Sequence, residues 1–236
     1  MPPYTVSVII PVYNEEKTIG NVLKDAISIM NNLFLPYEIL VIDDGSTDRS
    51  GEIASKHKAT LLTNDKNCGK GYSIRKAIQY AQGDIIVTID SDGEHKPKEI
   101  PELINPLLEG ADIVTGSRFM TNNTHATTKL NLVGNFIFNK TILALTGKSV
   151  TDSQTGFRAI KRNVLEKLNL SSNGYEIETE ITVKGLRNGF LFKERPITCE
   201  RRLQGISKIQ LVKDSINIFK TILTARIAKI SHDSAR

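Results

Sequence analysis

Short apolar runs alternate with helix-spaced patterns through the first half of this 236-residue chain, and most of the runs end in charged or hydroxyl residues. Residues 6–12 are β-branched and nearly continuous, as expected for a strand covered on both faces. Ile19, Val22, Leu23, Ala26, Ile27 and Met30 then recur at helical spacing, with Asn14 placed to cap that helix and Glu15 and Glu16 near its positive end. The pattern predicts further strands at 38–42, 59–62, 85–89 and 112–115. Helices are expected between them, including one over 71–82 and one with Pro97 in its first turn. Such repetition implies a single α/β domain with a mainly parallel central sheet, right-handed crossovers and helices on both faces. Ligands of these sheets bind at the carboxyl ends of the strands. Asp43, Asp90 and Arg118 all fall at those ends.

After Met120 the texture changes. Residues 121–128 are polar and read as a loop, 130–145 as an apolar-rich helix, and 152–158 as a polar turn before a short strand. A helix containing 175–186 and a strand near 190–198 follow. The expected organisation is one catalytic domain over 1–208 and a basic amphipathic helix over 209–236. The net charge of +5 gathers late, from Arg195 through Arg201, Lys213, Lys220, Arg226, Lys229 and Arg236. That bias suits phosphates or anionic lipid headgroups. With no recognition motif or aromatic stacking pattern, nucleic acid ranks last as a partner. Cys68 and Cys199 lack metal-ligand spacing and read as free thiols. The chain enters its first strand without a signal-like segment and has no run of about 20 apolar residues. A cytoplasmic protein, peripheral on the cytoplasmic face of a membrane, is therefore expected.

The chemistry concentrates in Asp90-Ser91-Asp92-Gly93-Glu94, at the end of the fourth apolar run. Hard cations such as Mg²⁺ or Mn²⁺ take oxygen ligands and commonly bridge carboxylates to substrate phosphates. Asp90, Asp92 and Glu94 are the candidate metal ligands, although Asp-Ser-Asp-Gly also reads as an ordinary turn. His95 has no partner at metal-ligand spacing and is taken as structural. Residues 67–71, Asn-Cys-Gly-Lys-Gly, fail the P-loop pattern at 64 and 71. Their glycines are expected to let backbone pass close to a nucleotide. Lys70 is either a ligand or a solvated charge. The first strand–helix turn lacks the glycine fingerprint of dinucleotide enzymes.

Taken in order, Val-Ile-Ile-Pro-Val-Tyr-Asn-Glu-Glu, Val-Ile-Asp-Asp-Gly-Ser-Thr-Asp, Asn-x-Gly-Lys-Gly and Asp-Ser-Asp resemble the family 2 inverting glycosyltransferases of GT-A fold, over about residues 5–210. Gly-Ser-Arg at 116–118, Asp-Ser-Gln-Thr-Gly-Phe-Arg at 152–158 and Arg-Leu-Gln-Gly-Ile-Ser-Lys at 202–208 are similar to dolichyl-phosphate mannose synthases and related polyprenyl-phosphate hexosyltransferases. The resemblance implies that Pro11, Tyr13 and Glu15 wall the nucleotide, Asp43 meets the base and Asp44 orders the loop. It places Asp90 and Ser91 at the ribose, Asp92 on the metal, and Arg118 near the acceptor phosphate or the sugar diphosphate. Arg202 and Lys208 would clamp the diphosphate, and Glu176 and Glu178 are weaker candidates for sugar hydroxyls. Asp152 is either a positioning group or weak base, or the residue that orients Arg158.

The implied reaction is metal-dependent transfer of a hexose, of mannose or glucose type, from a nucleotide sugar to dolichyl or polyprenyl phosphate. The resemblance also implies a small membrane-anchoring partner for this chain. GDP-mannose and UDP-linked donors both remain open from sequence. A saccharide or protein hydroxyl acceptor is the alternative, and it would need a general base. A non-catalytic nucleotide-sugar-binding subunit is the third reading.

Overall fold

A computed structural model of the chain describes residues 4–120, 129–200 and 211–225. Its centre is a seven-stranded sheet in the order β3-β2-β1-β4-β6-β5-β7. The strands are β1 (Val6–Val12), β2 (Tyr37–Asp43), β3 (Thr60–Thr63), β4 (Ile85–Thr88), β5 (Ile113–Ser117), β6 (Arg158–Lys161) and β7 (Phe192–Pro196). β1 is buried at every position, as its unbroken apolar run requires in a sheet covered twice.

β1 pairs in parallel with both β2 and β4, so the chain order reverses direction beside it. A crevice at such a point is where ligands enter open α/β sheets. The one departure from parallel pairing is β6, antiparallel to β4 and β5. That reversal has a consequence for the site. Arg158, the first residue of β6, stands opposite Thr88 and Thr115 near the carboxyl ends of their strands. The turn before β6 is therefore delivered to the same edge as the ends of β2, β4 and β5.

The helices are α1 (Ile19–Asn32), α2 (Ser50–Ser55), α3 (Lys70–Tyr80), α4 (Ile100–Leu108), α5 (Lys129–Thr146), α6 (Arg162–Leu168), α7 (Ile177–Arg187) and α8 (Leu211–Thr224). α1 and α4 bury Leu23, Met30, Leu103 and Ile104 on one face of the sheet. α3, α6 and α7 bury Ile74, Leu165 and Ile181 on the other. A third cluster joins Phe138 and Ile142 of α5, Val183 of α7, and Ile218 and Ile222 of α8. The described part of the C-terminal segment is thus docked on the body. The short α6 was not expected from the sequence pattern.

Asn14 does not cap α1. That helix begins five residues later, at Ile19, and Asn14 takes a positive φ of 53°. Its Oδ1 accepts the Thr47 amide at 2.7 Å, and its own amide donates to Ser46 Oγ at 3.0 Å. Short polar side chains tolerate the left-handed region by such local bonding, and here they knit the β1 and β2 ends together.

Candidate active site

At the end of β2 the two adjacent aspartates have different surroundings. Asp43 Oδ1 accepts the Ser46 amide at 2.8 Å. Asp44 is more deeply committed, accepting Asn64 Nδ2 at 2.7 Å and the amides of Cys68 and Gly69 at 2.9 and 2.8 Å. It ties the end of β2 to the segment after β3, while the turn directly after β2 is closed by Asp43. Pro11 and Val12 of β1 lie beside Ile42 and Asp43. Glu15 is buried nearby, with its amide on Ser50 Oγ at 2.7 Å. Tyr13 is half-buried between them.

Lys70 opens α3 and turns inward. Its Nζ lies 2.5 Å from Asp90 Oδ1 and 2.7 Å from Glu178 Oε1. It is therefore not a solvated charge but the counter-ion of two carboxylates. Burial works against the Lys70 charge, yet Asp90 and Glu178 outweigh it and raise the ammonium pKa. For Asp90 burial opposes ionisation, and the Lys70 charge more than compensates, holding the carboxyl below its usual value. Burial dominates at Glu178 and raises it, Lys70 pulling the other way. Glu178 is 3% exposed, so it is not a solvent-facing helix residue. α7 is buried along nearly its whole length, and its polar side chains point into the protein.

Two glycines allow this arrangement. A Cβ on Gly156 would lie 2.6 Å from both Asp90 Oδ2 and Lys70 Nζ. A Cβ on Gly71 would meet Ser172 O at 2.6 Å. The backbone passing Gly69 and Gly71 is residues 172–174 of the chain itself. Glu176 Oε1 accepts the amides of Asn173 and Gly174, which assigns it to ordering that same loop. Glu180 likewise accepts the amides of Ser171 and Ser172.

The acidic cluster is not a preassembled metal cage. Among the described residues no three His, Cys, Asp or Glu side chains converge to hold an ion. Asp90 is drawn to Lys70, Asp92 Oδ1 accepts the Glu94 amide at 3.0 Å, and Glu94 Oε2 lies 3.9 Å from Cys199 Sγ. The donors are nevertheless all hard oxygens. They suit Mg²⁺ or Mn²⁺, which bind through one or two carboxylates and take their remaining ligands from phosphate and water. Ser91 is buried between the two aspartates. His95 is 3% exposed, 3.8 Å from Asp90 Oδ2, and tilted on Phe157 at 5.6 Å between ring centroids. Burial depresses its pKa to about 4, so the ring is neutral near pH 7.

Across β4 and β6 stands a second ion pair. Arg118, just past β5, places Nε 2.7 Å from Asp152 Oδ2 and Nη2 2.9 Å from Oδ1, and its amide donates to Oδ2 at 3.2 Å. This is a two-pronged guanidinium–carboxylate fork. Asp152 is fully buried. Burial disfavours the Arg118 charge, but Asp152 more than restores it and raises its pKa. The expectation that Asp152 orients Arg158 is corrected. Arg158 is 1% exposed and donates to Thr155 O, Ser153 O and Thr182 Oγ1 instead. Sequence reasoning also missed Glu194 of β7, which accepts the Thr151 and Asp152 amides. Strand alternation could have flagged it, because Phe192 two residues before packs inward. Arg202 and Lys208 lie outside the described residues.

Comparison with known proteins adds the lineage. The sequence profile described as "Glycosyl transferase family 2" matches residues 7–169. An uncharacterized protein of Methanocaldococcus jannaschii is 36% identical over 200 residues, covering 81% of this chain and 80% of that protein. The glycosyltransferase AglJ of Haloferax volcanii and a dolichol-phosphate mannosyltransferase of Pyrococcus furiosus are each 33% identical, covering 86% and 87% of this chain. The chain spans 65% and 59% of their respective lengths. Among solved structures, glucosyl-3-phosphoglycerate synthase of Mycobacterium tuberculosis, crystallised with Mn²⁺, UDP and phosphoglyceric acid, superposes with a TM-score of 0.75. It is 24% identical, and the match covers 97% of this chain and 80% of that one. The likeness establishes the GT-A fold expected from the motifs.

Proposed function

The chain belongs to glycosyl transferase family 2, and from that premise we propose that it moves a hexose from a nucleotide sugar to a polyprenyl or dolichyl phosphate, with inversion at the anomeric carbon. The observation that carries the acceptor assignment is the Arg118–Asp152 fork at the strand-end edge. Both Asp152 oxygens are occupied by Arg118, and Oδ1 also receives the Gln154 amide at 3.3 Å. A carboxylate so engaged is a poor general base, and a hydroxyl acceptor would need one. A phosphate acceptor is ionised already and needs a fixed cation to orient it, which Arg118 supplies. The names of the Pyrococcus relative and of a polyprenol monophosphomannose synthase from Mycolicibacterium smegmatis, 29% identical over 229 residues, point to the same acceptor class.

In this reading Pro11, Tyr13, Glu15 and Asp43 line the base, Asp90 and Ser91 meet the ribose, and Lys70 keeps Asp90 in place. Asp92, with Glu94, would hold Mg²⁺ or Mn²⁺, whose charge offsets the negative charge of the diphosphate leaving group. Arg202 and Lys208 close over that diphosphate.

The acceptor's lipid tail calls for access to a membrane. Among the described residues no helix is long and apolar enough to cross one. Peripheral contact through α5 and α8 fits instead. Val133, Phe136, Ile137 and Leu143 of α5 and Ile216, Phe219 and Leu223 of α8 are exposed, with Lys140, Lys213 and Lys220 also exposed on the same two helices. Apolar stripes flanked by lysines suit an anionic bilayer surface.

One experiment tests donor, acceptor and membrane together. Labelled GDP-mannose, UDP-glucose and UDP-GlcNAc are offered to the full chain with anionic liposomes carrying polyprenyl phosphate. Metal-dependent counts in the lipid phase with one donor, and protein in the liposome pellet, are expected. No lipid-phase product with any donor would reject the acceptor, and protein left in the supernatant would reject the membrane contact.

A further inference from the structure

We propose that Glu194, on the edge strand β7, is the positioning residue that fixes the Asp152–Arg118 fork. Its carboxylate accepts the Thr151 amide at 3.0 and 2.9 Å, the Thr151 hydroxyl at 2.8 Å and the Asp152 amide at 3.0 Å. β7 runs parallel to β5 with Glu194 opposite Thr115, two residues before the end of the strand that Arg118 follows. Two successive amides pointing at one carboxylate form a small anion cradle, here filled from within the protein.

The other anchors of this turn act elsewhere. Asn135 and Asn139 donate to the Thr151 carbonyl at 3.0 and 2.8 Å, and Ser117 Oγ meets Thr151 Oγ1 at 2.6 Å. They hold residue 151, and Asn139 Oδ1 also accepts the Ser153 amide at 3.3 Å. Glu194 is the side chain that grips the backbone of Asp152 itself, and hence sets where its carboxylate presents both oxygens. A fork is sensitive to that setting, because both N–H···O contacts must align together. A shift of the turn that left the Arg118 charge in place would still misdirect it.

The functional consequence rests on the reading of Arg118 as the acceptor-phosphate cation, and the test has an arm that does not. In the full chain, the Arg118 side-chain Nε–H signal, assigned by its loss in Arg118→Lys, should exchange slowly with solvent in the wild type. Glu194→Ala should speed that exchange at least tenfold, and Glu194→Gln, which keeps one acceptor oxygen, should fall between. With prenyl phosphate as acceptor, Glu194→Ala should raise its KM about tenfold while the donor KM and the thermal midpoint change little. Unchanged Nε–H exchange in both variants would overturn the proposal, as would a parallel loss of stability, donor KM and acceptor KM in the milder Gln variant. If the wild type transfers to no prenyl phosphate, the acceptor reading fails and the exchange measurement alone decides the role of Glu194.

Discussion

Around Lys70 one cation serves two carboxylates drawn from different elements, whereas around Arg118 one cation is gripped by both oxygens of a single carboxylate. Both clusters sit at the same sheet edge and are largely withdrawn from water, yet their balances differ. The Lys70 group is one positive charge short when Asp90 and Glu178 are both ionised. Its carboxyls respond by moving apart, Glu178 upward through burial and Asp90 downward through Lys70. The Arg118 pair is neutral as it stands and geometrically rigid. One cluster is adjustable in charge and the other fixed in direction.

Removing one member of each cluster tests that contrast. Lys70→Met should have the largest effect, because it strands two carboxylates. Breaking a buried pair from one side costs roughly 3–5 kcal/mol, and partial exposure of Asp90 puts the expectation at about 3 kcal/mol, a fall in Tm of roughly 6–12 °C. Adding Glu178→Gln should recover more than half of that loss, as removing the second charge relieves the imbalance. A single-variant loss below about 1 kcal/mol by urea titration would mean that Lys70 is not the structural counter-charge. Asp152→Asn should be milder for the fold and act on function. Transfer should drop roughly 10- to 100-fold, the scale of one charged hydrogen-bonded contact. The loss should appear in the acceptor KM, with the shape of the pH–rate profile preserved. A lost limb of that profile with KM unchanged would instead restore Asp152 as a base.

How much of this was legible beforehand follows the same line between the two clusters. The strands and their carboxylate ends were readable, because a doubly covered strand must be apolar throughout and its end must then carry whatever polar chemistry the fold exposes. A turn after β2 was readable from Asp-Gly-Ser chemistry, and Asp43 closes it by accepting the Ser46 amide. The partners across the sheet were not. Spacing placed Asp152 six residues from Arg158, but the antiparallel entry of β6 turns Arg158 inward and sets Asp152 against Arg118, 34 residues away. Gly69 and Gly71 signalled close approach, but their packing against the 172–174 backbone was not visible in the sequence. Glu178 looked like a surface residue because helical periodicity assumes a wet face, and α7 has almost none. Tertiary burial, unlike local pattern, leaves little trace in a single sequence.

His95 gives the finest test of the adjustable cluster, because its titration runs against that of Glu178. The ring is neutral in the folded chain down to about pH 4, where burial has pushed it, and would ionise near 6.5 when unfolded. Between those values the unfolded chain binds the extra proton, so stability rises with pH through the window and is lost as pH falls from 6.5 towards 4. Glu178 is raised, so its folded form holds the extra proton, and stability falls as pH rises above the ordinary carboxylate range. Asp90 is lowered, and its loss of stability lies at more acid pH, outside the overlap. His95→Phe keeps a ring on Phe157 and removes only the rising contribution. Urea titrations in chelator from pH 5 to 6.5 should therefore show a wild-type gain on the order of 1 kcal/mol that flattens or reverses in the variant. Equal slopes in the two proteins would mean that His95 is solvated on opening of the acidic loop, and that this side of the site is looser than the Arg118 side in geometry as well as in charge.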